Sequence, residues 1–175
     1  MSFTGNMPAT LFWECLLRIF LAALCGLVIG FERKARLKEA GVRTHLIVAL
    51  GAALITIVSK YGFFDLALFA EGIKADPTRI AAQIVSGVGF LGAGMIFMRH
   101  RTLTGLTTAA GIWTTAGIGM AVGCGLYAVS LFSTALVVLT QLMLHRDYRW
   151  TRAPGCVPAH AAGPVRSAAG AGGPG

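Results

Sequence analysis

Leu11–Phe31, LFWECLLRIFLAALCGLVIGF, decides how this chain is read. About 20 mostly apolar residues at about 1.5 Å rise each carry a helix across a bilayer, and this run has that length and character. Its two charges, Glu14 and Arg18, stand four apart. They therefore share one helix face, where a pair near the membrane surface costs less than either charge alone. No lysine or arginine precedes Arg18 and no small-x-small cleavage pattern interrupts the run. It reads as a retained first span rather than a removed signal peptide.

The whole composition agrees. Hydrophobic residues make up 55% of the 175 residues and charged residues 13%, with a mean hydropathy of +0.71. So few charges cannot coat a water-soluble surface, and so much apolar content excludes disorder for the body of the chain. The net charge of +8 lies in short gaps between apolar runs, a pattern of membrane topology rather than nucleic-acid binding. Cys15, Cys25, Cys124 and Cys156 form no CxxC pair and have no histidine at metal-ligand spacing. They read as small packing residues, and no metal or cofactor site is signalled.

Four further spans follow, giving an all-α, polytopic transmembrane helix bundle of about five spans. Leu46–Val58 is long enough to cross only if it continues to about Phe64, with Lys60 reaching the headgroups. A short surface helix is expected where Phe63, Phe64, Leu66 and Phe69 mix with Asp65, Glu71 and Lys74. Asp76-Pro77 opens the third span, because aspartate accepts from the free N–H groups of the first turn and proline at the first position loses nothing. That span is expected from Arg79 to Met98. The long run from Leu103 to Leu144 must break at Gly119, Gly123 or Gly125. The break gives a fourth span over Gly105–Gly123 and a fifth over Leu126–Leu144. Residues 1–10 form a short outer N-terminus and 11–150 the membrane domain. Residues 151–175, rich in alanine, glycine and proline, are expected to be a disordered tail.

Positive charge sets the orientation. With the N-terminus outside, the inner side holds Arg33, Lys34, Arg36, Lys38, Arg43, Arg99, Arg101, Arg146, Arg149, Arg152 and Arg166, and the outer side only Lys60, Lys74 and Arg79. This asymmetry predicts an N-out, C-in protein.

Small residues at four-residue spacing mark helix contact faces in lipid. Gly26 and Gly30 form one such pair and Gly111, Thr115, Gly119 and Gly123 a longer row, while Gly87, Gly89, Gly92 and Gly94 crowd the third span. Such rows mean packing within the bundle or between protomers before they mean a substrate path. Arg79, Gln83 and Ser86 share one face of the third span below Asp76. A polar stripe in hydrocarbon needs partners, so it is expected to face the bundle interior or a wet cavity, as a hydrogen-bond network or as an ion vestibule. His45 is expected at the interface as a hydrogen-bond donor. All seven carboxylates fall at span ends, in loops or in the tail. A pathway for magnesium, which takes oxygen ligands and gives up water reluctantly, would then lack a midplane acid.

Three stretches carry a resemblance: GLVIGFERKARLKEAGVRTHLIVALGAAL from Gly26, DPTRIAAQIVSGVGFLGAG from Asp76 and GLTTAAGIWTTAGIGMAVGCGLY from Gly105. Together they resemble the MgtC/SapB family of bacterial membrane proteins. The resemblance implies a multi-pass inner-membrane protein with a role in adaptation to low magnesium and, in pathogens, in survival inside host cells. It implies the ATP synthase as a partner. The residues carrying the family pattern are Glu32, Arg33, Gly41, Arg43, Thr44, Asp76, Arg79, Gln83 and Ser86, which stand as the candidate functional residues. Founding members of the family continue into a soluble domain after the last span, where this sequence has its Ala/Gly/Pro stretch.

Two functions compete. One is a non-enzymatic membrane regulator acting through helix contacts with a larger complex, or with further copies of itself. The other is a transporter or channel for magnesium or another small ion, with Asp76, Arg79, Gln83 and Ser86 at its outer vestibule. No nucleophile, base and orienting acid converge at any spacing, so an enzyme is not expected.

Overall fold

The computed structural model describes residues 8–62, 76–99 and 102–146. They form five helices and one small hairpin: α1 (Ala9–Ala35), α2 (Val42–Tyr61), α3 (Pro77–Gly94), β1 (Phe97–Arg99), β2 (Thr102–Thr104), α4 (Leu106–Cys124) and α5 (Tyr127–Arg146). The expected surface helix around Phe63–Lys74 and the tail 151–175 lie outside the described residues. Residues 1–140 form one compact unit. Of the second unit, 141–175, the described part is the end of α5.

Local chemistry sets the helix ends. α3 begins as its sequence directs, with Asp76 Oδ1 accepting from Thr78 N–H at 2.9 Å and from the Thr78 hydroxyl at 2.6 Å. α1 ends by turning back on itself: Leu37 N–H donates to Lys34 O at 3.1 Å and Lys38 N–H to Arg33 O at 3.2 Å. This closure places the middle residue in the left-handed region, and here it is Leu37, at φ 52°. Between α4 and α5 the left-handed residue is Gly125, at φ 90°. A side chain there would be strained by its backbone and would press on the Arg18 guanidinium, 3.2 Å from the Cβ position.

The third span ends earlier than expected. α3 stops at Gly94, and Phe97 to Thr104 turns back as an antiparallel pair in which Met98 faces Leu103. The Thr104 hydroxyl donates to Phe97 O at 3.1 Å across the pair. Gly92 and Gly94 weaken the helix where it stops, and the flanking threonines favour extended backbone. Helices also stand where the other four spans are expected, with shifted ends. α1 runs on to Ala35, α2 begins at Val42 rather than Leu46, and the break in the long apolar run falls at Gly125.

α1, α2 and α4 pack closest, around Ala22, Cys25, Ile29, Ala53, Ile118 and Val122, with Tyr127, Val137 and Val138 of α5 against them. α3 lies on the α2–α4 side, where Ile84 and Val88 meet Ala52, Ile112 and Ala116. The contacts are backbone-close. A Cβ on Gly26 would sit 2.5 Å from His45 O, and one on Gly119 would collide with Ala49 O. The interior thus mixes small residues and buried polar ones with isoleucines and valines, while Trp13 (68% exposed), Phe20, Ile47, Phe90 and Phe132 point outward.

α1 and α2 are each long and apolar enough to cross a membrane, and α5 contains a shorter apolar helix over Tyr127–Met143.

Candidate functional site

α1 carries a buried arginine towards each end. Arg18 is 4% exposed and Arg33 3%. Arg18 Nη1 donates to Gly123 O at 3.0 Å and to Tyr61 Oη at 3.0 Å, and its Nε donates to Tyr127 Oη at 3.2 Å. Nη2 pairs with Glu14, as the four-residue spacing anticipates. One guanidinium therefore joins α1 to α2, α4 and α5 at a single end of the bundle. Two tyrosines and a carbonyl supply acceptors that a buried cation requires.

At the other end, Arg33 Nη2 donates to Thr108 Oγ1 at 3.1 Å, and that hydroxyl donates on to Glu39 Oε2 at 2.8 Å. The relay joins α1, the α1–α2 connection and the first turn of α4. Beside it, Arg36 Nε donates to Glu32 Oε1 at 2.6 Å. Glu39 stands in the connection between α1 and α2, where its own backbone N–H, and then the Thr108 hydroxyl, hold its carboxyl below the ordinary value of 4.5. Asp76, at the head of α3, is likewise lowered, first by the Thr78 hydroxyl and then by the Thr78 backbone N–H.

His45 departs from the interfacial position expected for it. It is fully buried, one turn into α2, with Nδ1 2.8 Å from Thr115 Oγ1 of α4. The Thr115 hydroxyl spends its proton on Gly111 O at 2.8 Å. It therefore accepts from His45 Nδ1–H, and Nε2 remains the bare acceptor of a neutral ring. Nε2, Arg33 Nε and Glu32 Oε2 are enclosed and lack a partner among the described residues. The glycines explain the burial, since Gly26 lets α1 lie directly on the His45 carbonyl.

The candidate residues fall into two places. Glu32 and Arg33 enter the buried polar end, while Gly41 caps α2 and Arg43 and Thr44 are exposed on its first turn. Asp76, Arg79, Gln83 and Ser86 lie together on α3, but all four are exposed. The stripe does not face the bundle interior as expected, because Ile84, Val88 and Gly92 take the side of α3 that meets α2 and α4. Arg18, Glu39, Thr108 and Thr115 were not singled out as site residues. The Glu14–Arg18 spacing and the Gly111–Gly123 row that includes Thr115 are the sequence signals for them. Among the described residues no three His, Cys, Asp or Glu side chains come together as a metal site.

The described sequence stretches bearing these two places fall inside the match to the MgtC family, which covers residues 19–149. The chain belongs to the MgtC family. Members of that family are membrane proteins. Over 133 residues the chain is 47% identical to an Escherichia coli K12 protein named "Putative magnesium transporter YhiD", covering 76% of this chain and 61% of that one. It is 42% identical over 123 residues to "Protein MgtC" of Brucella abortus, covering 70% of this chain and 48% of that one. An uncharacterised Haemophilus influenzae protein is 40% identical over 134 residues, covering 76% and 56%. The chain thus spans roughly half to three fifths of the length of these relatives. No solved structure matches it.

Proposed function

We propose that this MgtC-family chain is the membrane part of a non-enzymatic regulator that serves bacterial adaptation to low magnesium from the inner membrane. It crosses the bilayer five times, N-out and C-in. The family and the magnesium designation in the YhiD name support the magnesium link. Large aromatic side chains on the outside, Trp13, Phe20, Phe90 and Phe132 among them, and backbone-close glycine contacts within support the membrane setting. Phe12, Trp13, Phe20, Phe90 and Phe132 are each more than half exposed, which suits lipid better than water.

The observation that carries the regulator reading is the close approach of α1, α2 and α4 along the first half of α2. Gly26 rests on His45 O and Gly119 on Ala49 O, so backbone touches backbone where a conduit through these helices would run. The buried charged groups, Arg18 and Arg33, stand instead towards the two ends. Such a bundle suits a rigid element that engages a larger membrane complex, for which the ATP synthase is the candidate partner that the family resemblance implies.

Reconstitution in liposomes tests this against transport. The expected result is no saturable magnesium entry above protein-free vesicles, together with restored growth at limiting magnesium in cells that express the chain. Saturable entry abolished by Gln83→Ala would replace the regulator with a magnesium carrier. The exposed Arg79, Gln83 and Ser86, together with the transporter designation in the YhiD name, favour that second reading. Orientation is tested by an impermeant thiol reagent on sealed cells. It should label a cysteine placed at Lys74 and spare one at Lys38.

A further inference from the structure

We propose that the exposed polar face of α3 is the surface on which two copies of this chain meet in the membrane. Asp76 of each copy lies against Arg79 of the other, and Gln83 lies against its own counterpart. The inference rests on the reading of α3 as a membrane span.

Asp76, Arg79, Gln83, Ser86, Phe90 and Ala93 follow one another at alternating spacings of three and four. At about 100° per residue this places them in one stripe, and alternating threes and fours are the seam of two helices packed in parallel. The packed side of α3 uses a different series, Ile84, Val88 and Gly92 at spacings of four, centred roughly opposite. α3 therefore has two contact faces and only one is occupied within the chain. The other carries an arginine, an amide and a hydroxyl, with Phe90 80% exposed. Lipid offers no hydrogen bonds, so such groups seek protein partners.

Several features select a second copy as that partner. Copies in one membrane share orientation, so α3 meets α3 in parallel and like residues face one another across a two-fold axis. A glutamine amide both donates and accepts, as does a serine hydroxyl, so each is complementary to itself. Arg79 facing Arg79 would repel, but Asp76 stands one turn away on the same stripe. Each guanidinium can reach the carboxylate of the other copy, and the symmetry makes that pair twice. The face is thus complementary to itself in charge, hydrogen bonding and spacing.

The test uses the full chain in native membranes, with Cys124 and Cys156 replaced by serine and a single cysteine introduced on α3. S86C lies on the seam, whereas V85C, also exposed, lies off it. A disulfide needs Cα atoms within about 7 Å, so oxidation should yield a covalent dimer for S86C at roughly ten-fold the level of V85C. Adding Gln83→Leu to S86C should lower that yield several-fold at unchanged membrane abundance. Equal yields for S86C and V85C overturn the proposal, as does a Gln83→Leu variant that crosslinks undiminished. An S86C adduct with a different protein also overturns it and assigns the face to another complex. Alkaline carbonate extraction of the same membranes separates the two levels of failure. Extraction of the chain defeats the membrane reading along with this inference, while a retained chain without dimer defeats this inference alone.

Discussion

Arg18 closes the end of α4 by donating from Nη1 to the carbonyl oxygen of Gly123 at 3.0 Å. A cation at a helix C-terminus is favourable against the aligned peptide dipoles, and this one also holds two tyrosines. Arg18→Met keeps the bulk of the side chain but strands the carbonyl and both phenols. The expected loss is about 1–3 kcal/mol, against about 0.5–1.5 kcal/mol for Tyr127→Phe, which removes one bond. Thermal unfolding in detergent micelles measures both. Equal midpoints for Arg18→Met and the parent chain would mean that the network contributes nothing to stability.

Thr108 is the middle member of the Arg33–Thr108–Glu39 relay, and its hydroxyl both accepts and donates. Thr108→Val has nearly the same shape and no hydroxyl, so it leaves a buried guanidinium short of an acceptor and should cost about 1–3 kcal/mol. Thr108→Ser should stay close to the parent. A serine variant as weak as the valine variant would assign the loss to the methyl group instead.

The same relay has a pH limit. Glu39 has its carboxyl held below 4.5 in the folded chain. Its contribution is therefore present above the unfolded value and disappears as pH falls through the lower folded value. The stability gap between the parent and Glu39→Gln should be constant at neutral pH and close as pH falls below 4.5 and through the lower folded value. A gap that persists in acid would contradict the carboxylate's role.

Glycines on the two sides of the packing should respond with opposite sign. A Cβ at Gly26 meets backbone at 2.5 Å, whereas one at Gly51 meets nothing within 4 Å. Gly26→Ala should destabilise by about 1–3 kcal/mol through overpacking. Gly51→Ala should stabilise by about 0.5–1 kcal/mol, because alanine loses less freedom than glycine in a helix. Unfolding midpoints for the two variants decide it, and a tolerated Gly26→Ala would contradict the close approach of α1 and α2.

Leu37 occupies the left-handed position that ends α1 with its side chain 95% exposed. Leu37→Gly removes the clash of Cβ with the backbone and should gain roughly 1 kcal/mol. A destabilised glycine variant would show that the leucine side chain holds something that its exposure does not suggest.

Much of the architecture could be read because its signals are local. Asp76-Pro77 announces a helix start, Gly125 a helix break, and Glu14 with Arg18 a pair on one face. What could not be read depends on residues far apart in the chain. His45 and Thr115 meet across two helices, as do Arg33 and Thr108, and nothing in their immediate neighbours marks either meeting. The hairpin strands are hidden in the sequence because Phe97 and Met98 continue the hydropathy of α3 and Leu103 begins that of the next apolar run. Periodicity placed Arg79, Gln83 and Ser86 on one face, but the direction of that face was set by which side of α3 fits Ala52, Ile112 and Ala116.

The two buried arginines of α1 are also a ruler. At about 1.5 Å per residue their Cα atoms stand roughly 22 Å apart along the axis, while the hydrocarbon of a typical bilayer is about 30 Å thick. Each guanidinium is held inward by its own bonds, Arg18 to Gly123 O and Arg33 to Thr108, so neither is free to stretch outward and relieve the difference. Protein encloses both side chains almost completely, so the spacing sets the register of α1 against its neighbours, and in the proposed membrane setting neither charge has to meet lipid.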